Sequence, residues 1–254
     1  MPPTWVERLR QLPPPAHHPA LATAKYPPTI LEDVYARGQF GIDDLARPQP
    51  EHAAVLILLR EGGFGPEVLL TVRSKTMRRH GGEVALPGGK RDAGDAGDKY
   101  TSTLGKGVPP SRWTVDVTTA LREAWEEVGL PSEHVEILAE LPRCVALGGI
   151  LTTPVVAWLP GGAADFSCPD LNPEEVSSAF WMPLGRFLEA ERHTHKDILQ
   201  GTVRMHAFDV DSVDGTKVFG LTANVMIRAA QLALGQDPAF AMFVGGEPTG
   251  RPKL

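Results

Sequence analysis

Residues 122–130, Arg122-Glu123-Ala124-Trp125-Glu126-Glu127-Val128-Gly129-Leu130, constrain this chain more than any other stretch. Val117, Leu121, Ala124 and Val128 recur at helical spacing, which predicts a helix with one buried stripe. Gly129 falls where a C-cap glycine belongs, and Pro131 prevents continuation. On such a helix Glu123 precedes Glu126 and Glu127 by three and four residues, so the carboxylates crowd one face. Like charges at that spacing cost about 0.2–0.5 kcal/mol per pair. Arg122, four residues before Glu126, is expected to offset one pair only. A hard divalent cation would offset all three, because carboxylate oxygens are its preferred ligands. Taken alone, the stretch reads equally well as a solvated acidic face, with Trp125 as a core or shell residue.

Upstream, Leu86-Pro87-Gly88-Gly89-Lys90-Arg91-Asp92 supplies a turn whose glycines let the backbone come close to a ligand. A basic loop feeds that turn, with Arg73, Lys75, Arg78, Arg79 and His80 close together in a chain of net charge -6. A solvated positive loop is the plainer alternative. Its position just before the carboxylates favours anion binding, since the arginine fork matches phosphate oxygens.

The acidic balance, with a pI near 5.8, argues against a nucleic-acid partner. A composition 42% hydrophobic and 22% charged suits an ordinary folded domain. No apolar run approaches the roughly 20 residues that span a bilayer, and no leader pattern opens the chain, so neither membrane insertion nor secretion is expected. Cys144 and Cys168 lack metal-ligand spacing and read as reduced thiols.

Residues 1–50 hold ten of the 24 prolines and read as an extension lying on the domain, with one short helix near 30–37. His17-His18 reads there as a loop pair. Strands are expected at 53–59 and 68–72, joined by a glycine-rich hairpin turn at 61–66. Further strands are expected at 135–141, 155–159, 174–184 and 203–210, with Gly148-Gly149 and 170–173 as connecting loops. Helices are expected at 187–192 and, closed by Gly235, at 222–234. Residues 96–112 look like a surface insertion within a domain spanning 51–235, and 236–254 like a tail. Strands and helices mix without regular βαβ alternation, which predicts an α/β sandwich around a mixed central sheet.

A glycine, then an acid (Asp95) six residues on, then Arg122–Leu130 beyond the insertion, together resemble the Nudix signature. A second pattern is similar to the one that marks coenzyme A diphosphatases: Leu69-Leu70-Thr71-Val72-Arg73-Ser74, then Arg78, Gly82 and Leu86-Pro87-Gly88-Gly89. Phe219-Gly220-Leu221-Thr222-Ala223 resembles the same subgroup. The chain departs from it at Asp95 (usually Glu), Leu86 (usually Phe) and Glu83 (usually Gln). The resemblance implies an α/β/α Nudix sandwich and hydrolysis of the pyrophosphate of coenzyme A or its acyl derivatives with Mg²⁺ or Mn²⁺, giving 3′-phospho-AMP and 4′-phosphopantetheine. An alternative is another nucleoside diphosphate derivative such as ADP-ribose, a dinucleotide or a nucleotide-capped RNA. By position, Glu123, Glu126 and Glu127 would bind metal, Glu126 or Glu127 would accept the water proton, and Arg122 would orient a glutamate. Arg73, Arg78, Arg79, His80, Gly88 and Gly89 would contact substrate, a turn carbonyl at Gly88 or Gly89 would be a further metal ligand, and Glu174 or Glu175 would add a carboxylate across the cleft. The C-terminal Pro252-Lys253-Leu254 differs from a Ser-Lys-Leu peroxisomal address at one position, so a peroxisomal or otherwise cytoplasmic location is expected.

Overall fold

A computed structural model describes residues 2–13, 51–96, 114–146, 150–161, 166, 168, 170–198, 201, 203–210 and 215–246. The helix expected near 30–37, the His17-His18 pair, Gly148-Gly149, nearly all of the 96–112 insertion and the C-terminal tripeptide lie outside the described residues.

The central strand β1 (His52–Gly62) turns at Gly62–Gly65 into β2 (Gly65–Arg73), as the glycine-rich turn requires. β1 also pairs in parallel with β7 (Ile150–Trp158) and antiparallel with β4 (Gly88–Lys90). The sheet is completed by β3 (Val84–Ala85), β5 (Glu136–Glu140), β6 (Cys144–Ala146) and β8 (Val176–Pro183), in the path β3-β2-β1-β7-β5 with β8 on β2 and β6 on β7. A second sheet contains β9 (His193–Ile198), β10 (Val203–Asp209) and β11 (Lys217–Phe219).

The apolar run in β1 is continuous because both of its faces are covered. Ala54, Leu56 and Leu58 pack with Val117, Leu121, Ala124 and Val128 of helix α2 (Val115–Val128). Ile57 and Leu59 point the other way, into a core shared with Val225, Ile227 and Ala229 of helix α3 (Gly220–Leu234). The result is the α/β/α arrangement around a mixed sheet.

The proline-rich N-terminal region begins with a helix the sequence did not announce, α1 (Thr4–Arg10). Seven residues are too few to hold a helix on propensity alone. Burial of Trp5, Val6 and Leu9 in the α3-side core stabilises it. Arg10 forks onto Glu136 with two 2.8 Å bonds, and Arg8 donates to the Ala233 carbonyl at 2.6 Å, satisfying an orphan group at the end of α3. The helix expected at 187–192 is instead a 3₁₀ turn over Leu184–Leu188, followed by a loop in which Arg192 has φ 60°. That turn ends where Phe187 and Leu188 have already buried their side chains.

Candidate metal centre

Helix α2 is defined at both ends. The Thr114 hydroxyl accepts from the Asp116 N–H at 3.1 Å, and Gly129, at φ 66°, closes a Schellman turn through Leu130 N–H to the Ala124 carbonyl. Packing the Val117–Val128 stripe against β1 and β7 fixes the helix azimuth and turns Glu123 and Glu127 toward the glycine turn.

At Gly88 of that turn only glycine fits. A Cβ on Gly88, whose φ is 155°, would overlap the Ala54 carbonyl and the Val55 backbone, and one on Gly89 would overlap the Glu123 carboxyl. The Gly88 N–H therefore reaches Glu127 Oε2 at 3.1 Å. From the far side, Glu175 is held by its own N–H on the Asn172 carbonyl and by Ser74 N–H on its carbonyl at 2.7 Å. One carboxylate oxygen from each of Glu123, Glu127 and Glu175 lies within 4.8 Å of the others.

Glu127 is 2% exposed, and burial pushes its carboxyl up to about 8. The Gly88 N–H and Arg73 pull it down, while Glu123 and Glu175 push it further up. Glu123 is raised for the same first reason, burial, against the pull of Arg122. Arg73 Nη1 is 3.8 Å from Glu127, and its Nε is buried without a hydrogen-bond partner among the described residues.

Arg122 does more than the sequence suggested. Its Nη1 meets both Glu123 and Glu126 at 2.9 Å, so it offsets two carboxylates rather than one. Its Nε and Nη2 grip Asp95 at 2.7 and 3.2 Å, and Nη2 also reaches the Lys90 carbonyl at 2.9 Å. Asp95, 2% exposed, also accepts from Thr119 Oγ1 and the Asp92 N–H. Burial opposes its ionisation, yet these donors hold it below the ordinary carboxylate range.

The expected residues thus divide. Glu123 and Glu127 come together with Glu175, and Glu174 is exposed outside the trio. Glu126 is half exposed and paired with Arg122 rather than grouped with the trio. Arg73 joins the buried site, whereas Arg78, Arg79 and His80 are exposed, with His80 on Glu83 at 2.9 Å. Trp125 is 54% exposed rather than core, because its position on α2 faces away from Glu123 and Glu127. The backbone N–H of Gly88 was not foreseen as a carboxylate donor. The short strand β4 that aims it follows from the turn's pairing with β1.

No family model matches the chain. It is 34% identical over 201 residues to Nudix hydrolase 15, mitochondrial, of Arabidopsis thaliana, covering 78% of this chain and 64% of that protein. The chain therefore spans less than two thirds of that relative. It is 35% identical over 192 residues to the peroxisomal coenzyme A diphosphatase NUDT7 of Mus musculus (74% of this chain, 72% of that one). It is 36% identical over 192 residues to the peroxisomal coenzyme A diphosphatase ndx-8 of Caenorhabditis elegans (75% and 72%).

Proposed function

The chain belongs to the Nudix hydrolase family, and on that premise we propose that it cleaves the pyrophosphate of coenzyme A or its acyl derivatives, using Mg²⁺ or Mn²⁺, to 3′-phospho-AMP and 4′-phosphopantetheine. The observation that carries this reading is the convergence of Glu123, Glu127 and Glu175 beside the half-buried guanidinium of Arg73. The substrate class is supported by the Leu69–Gly89 pattern and by the names of the two peroxisomal relatives.

The donor set fits a hard divalent ion: three carboxylate oxygens lie close together, and the ion would relieve the burial and crowding that oppose ionisation of Glu127. Glu123, Glu127 and Glu175 would hold it, with Glu126 a further ligand from the helix edge. When bound, the ion neutralises phosphate oxygens and acidifies the attacking water.

The remaining work falls to the chain itself. Arg122 locks Glu123 and Glu126 in orientation by gripping both from Asp95. Glu126 or Glu127 takes the proton of the attacking water. Arg73 directs its Nε, a buried donor with no hydrogen-bond partner among the described residues, at a phosphate oxygen. Arg78, Arg79 and His80, exposed on the neighbouring turn, draw in the polyanion, and Gly88 and Gly89 let it approach the backbone.

Chromatography of products from coenzyme A and from ADP-ribose, with and without Mg²⁺, tests the proposal. Release of 3′-phospho-AMP that Glu127→Gln abolishes is the expected result. Cleavage of ADP-ribose alone rejects coenzyme A and leaves the other nucleoside diphosphate derivatives. Peroxisomal location is part of the same reading, resting on Pro252-Lys253-Leu254. A tagged chain that distributes identically with and without that tripeptide removes this support.

A further inference from the structure

A second charged cluster lies on the same face of α2. Asp116, Glu123 and Glu127 are spaced by seven and four residues, so they form one stripe, with Asp116 about 10 Å along the helix from Glu123. β4 runs beside that stripe. Its Gly88 N–H meets Glu127, Gly89 packs on Glu123, and Arg91, one residue past its end, meets Asp116.

Asp116 is completely buried, and two guanidiniums converge on it. Arg91 binds Oδ1 through Nε and Nη2, both at 2.7 Å. Arg143 binds Oδ2 through Nη2 at 3.2 Å and Thr153 Oγ1 through Nε at 3.2 Å, and Thr153 donates to Oδ2 at 2.6 Å. These bonds use Nε and Nη2 of both arginines and leave each Nη1 outside the network. The side chains of Arg91 and Arg143 are 29% and 25% exposed, so both reach solvent.

The local charge does not balance. Two guanidiniums face one paired carboxylate, and the next carboxyl, Glu140, is taken up by the Thr114 N–H at 2.7 Å, with burial raising its pKa. His52 feels the excess. Burial first, and then Arg91 and Arg143, hold it below its ordinary pKa, and its Nδ1 is buried without a partner among the described residues.

We propose that Arg91 and Arg143 form the subsite for the 3′-phosphate of coenzyme A and so set selectivity for 3′-phosphorylated substrate. This rests on the coenzyme A reading above. The 3′-phosphate is separated from the pyrophosphate by a single ribose, a span of the order of the two helical turns between Asp116 and Glu123. Asp116 acts as a positioning residue: it aligns the two forks, and their Nη1 groups supply the charge-assisted bonds that a dianion takes.

The test compares kcat/KM for coenzyme A and for dephospho-coenzyme A. Wild type is expected to favour coenzyme A by about 10–100-fold, the scale of one or two charge-assisted bonds. Arg143→Gln and Arg91→Gln should collapse that ratio toward one. Arg143→Lys keeps a charge over Asp116 and should lower the ratio part of the way. A measurement on wild type alone guards against misfolded variants: adenosine 3′,5′-bisphosphate should inhibit more tightly than AMP by a similar factor. Equal inhibition by the two, equal turnover of both substrates, or variants that lower both turnovers with the ratio intact would each overturn the subsite while leaving coenzyme A hydrolysis standing. If wild type cleaves neither substrate, the coenzyme A reading falls and this inference falls with it.

Discussion

Asp116 and Glu127 lie about three turns apart on one face of α2, each at most 2% exposed, yet their surroundings differ sharply. Asp116 receives two guanidiniums and a threonine hydroxyl. Glu127 receives one backbone N–H at 3.1 Å and a guanidinium at 3.8 Å, and it shares its space with two more carboxylates. Folding alone would not select the second arrangement, because a buried carboxyl with few donors destabilises the fold by several kcal/mol if it ionises. The difference teaches where to look for function. A buried acid whose compensation is complete holds its partners in place, and one whose compensation is missing waits for a ligand.

The largest effect expected from this contrast is on catalysis. Glu127→Gln keeps the shape and the Gly88 contact but removes the charge. Hydrolysis should fall by about 10²–10⁴-fold, the range for loss of a positioned acid–base group, while thermal stability of the metal-free protein stays level or rises. A variant that retains more than a tenth of wild-type kcat would break the functional side of the comparison.

Asp116→Ala should show the reverse emphasis. Removing the carboxylate leaves Arg91 and Arg143 facing each other, and breaking a buried pair of this kind costs about 3–5 kcal/mol. Both arginines are partly solvated, which places the expected loss at the lower end. Denaturant titration measures it. A loss under 1 kcal/mol would mean that the network at this end of the helix does not hold the fold.

The contrast between the two acids was invisible in the sequence, although the helix that carries them was not. The apolar repeat from Val117 to Val128 and the Gly129 cap are local signals, and so is the 61–66 hairpin turn, and all three match the structure. Glu175 is different. Its place beside Glu127 depends on β8 pairing with β2 from Glu67↔Pro183 to Arg73↔Val176, a contact between segments about a hundred residues apart. Sequence reasoning could narrow the fourth acid to Glu174 or Glu175 but not choose between them. Arg91 and Arg143 were passed over because one reads as turn and the other as loop, and only the pairing of β4 and β6 with the central strands brings both to Asp116. α1 was missed because tertiary burial, not propensity, makes it helical, and β9 because five of its six residues are polar.

A smaller effect separates the two ends by pH. Glu127 has its folded pKa raised from 4.5 to about 8, so the native state holds a proton that the unfolded chain has released. Its contribution to stability is therefore fully present below about 4.5 and is lost as pH rises toward 8. In chelator, the melting temperature of wild type relative to Glu127→Gln should fall across that window. Divalent cation should reverse the trend, since ligand binding favours the ionised form. Parallel curves for the two proteins would show that Glu127 is not the group responsible.

The smallest expected effect is a control on the same helix. Trp125 is one residue from Glu126 and two from Glu123, but it is 54% exposed on the face turned away from the trio. If only the stripe through Asp116, Glu123 and Glu127 matters, Trp125→Ser should change stability by no more than about 0.5 kcal/mol. Turnover should stay within about twofold of wild type. An indole is the largest side chain in the segment, so its removal is the strongest challenge the outward face can offer. A tenfold loss of kcat/KM with unchanged stability would extend the site around the helix, and proximity to the trio would then no longer be what distinguishes one face of α2 from the other.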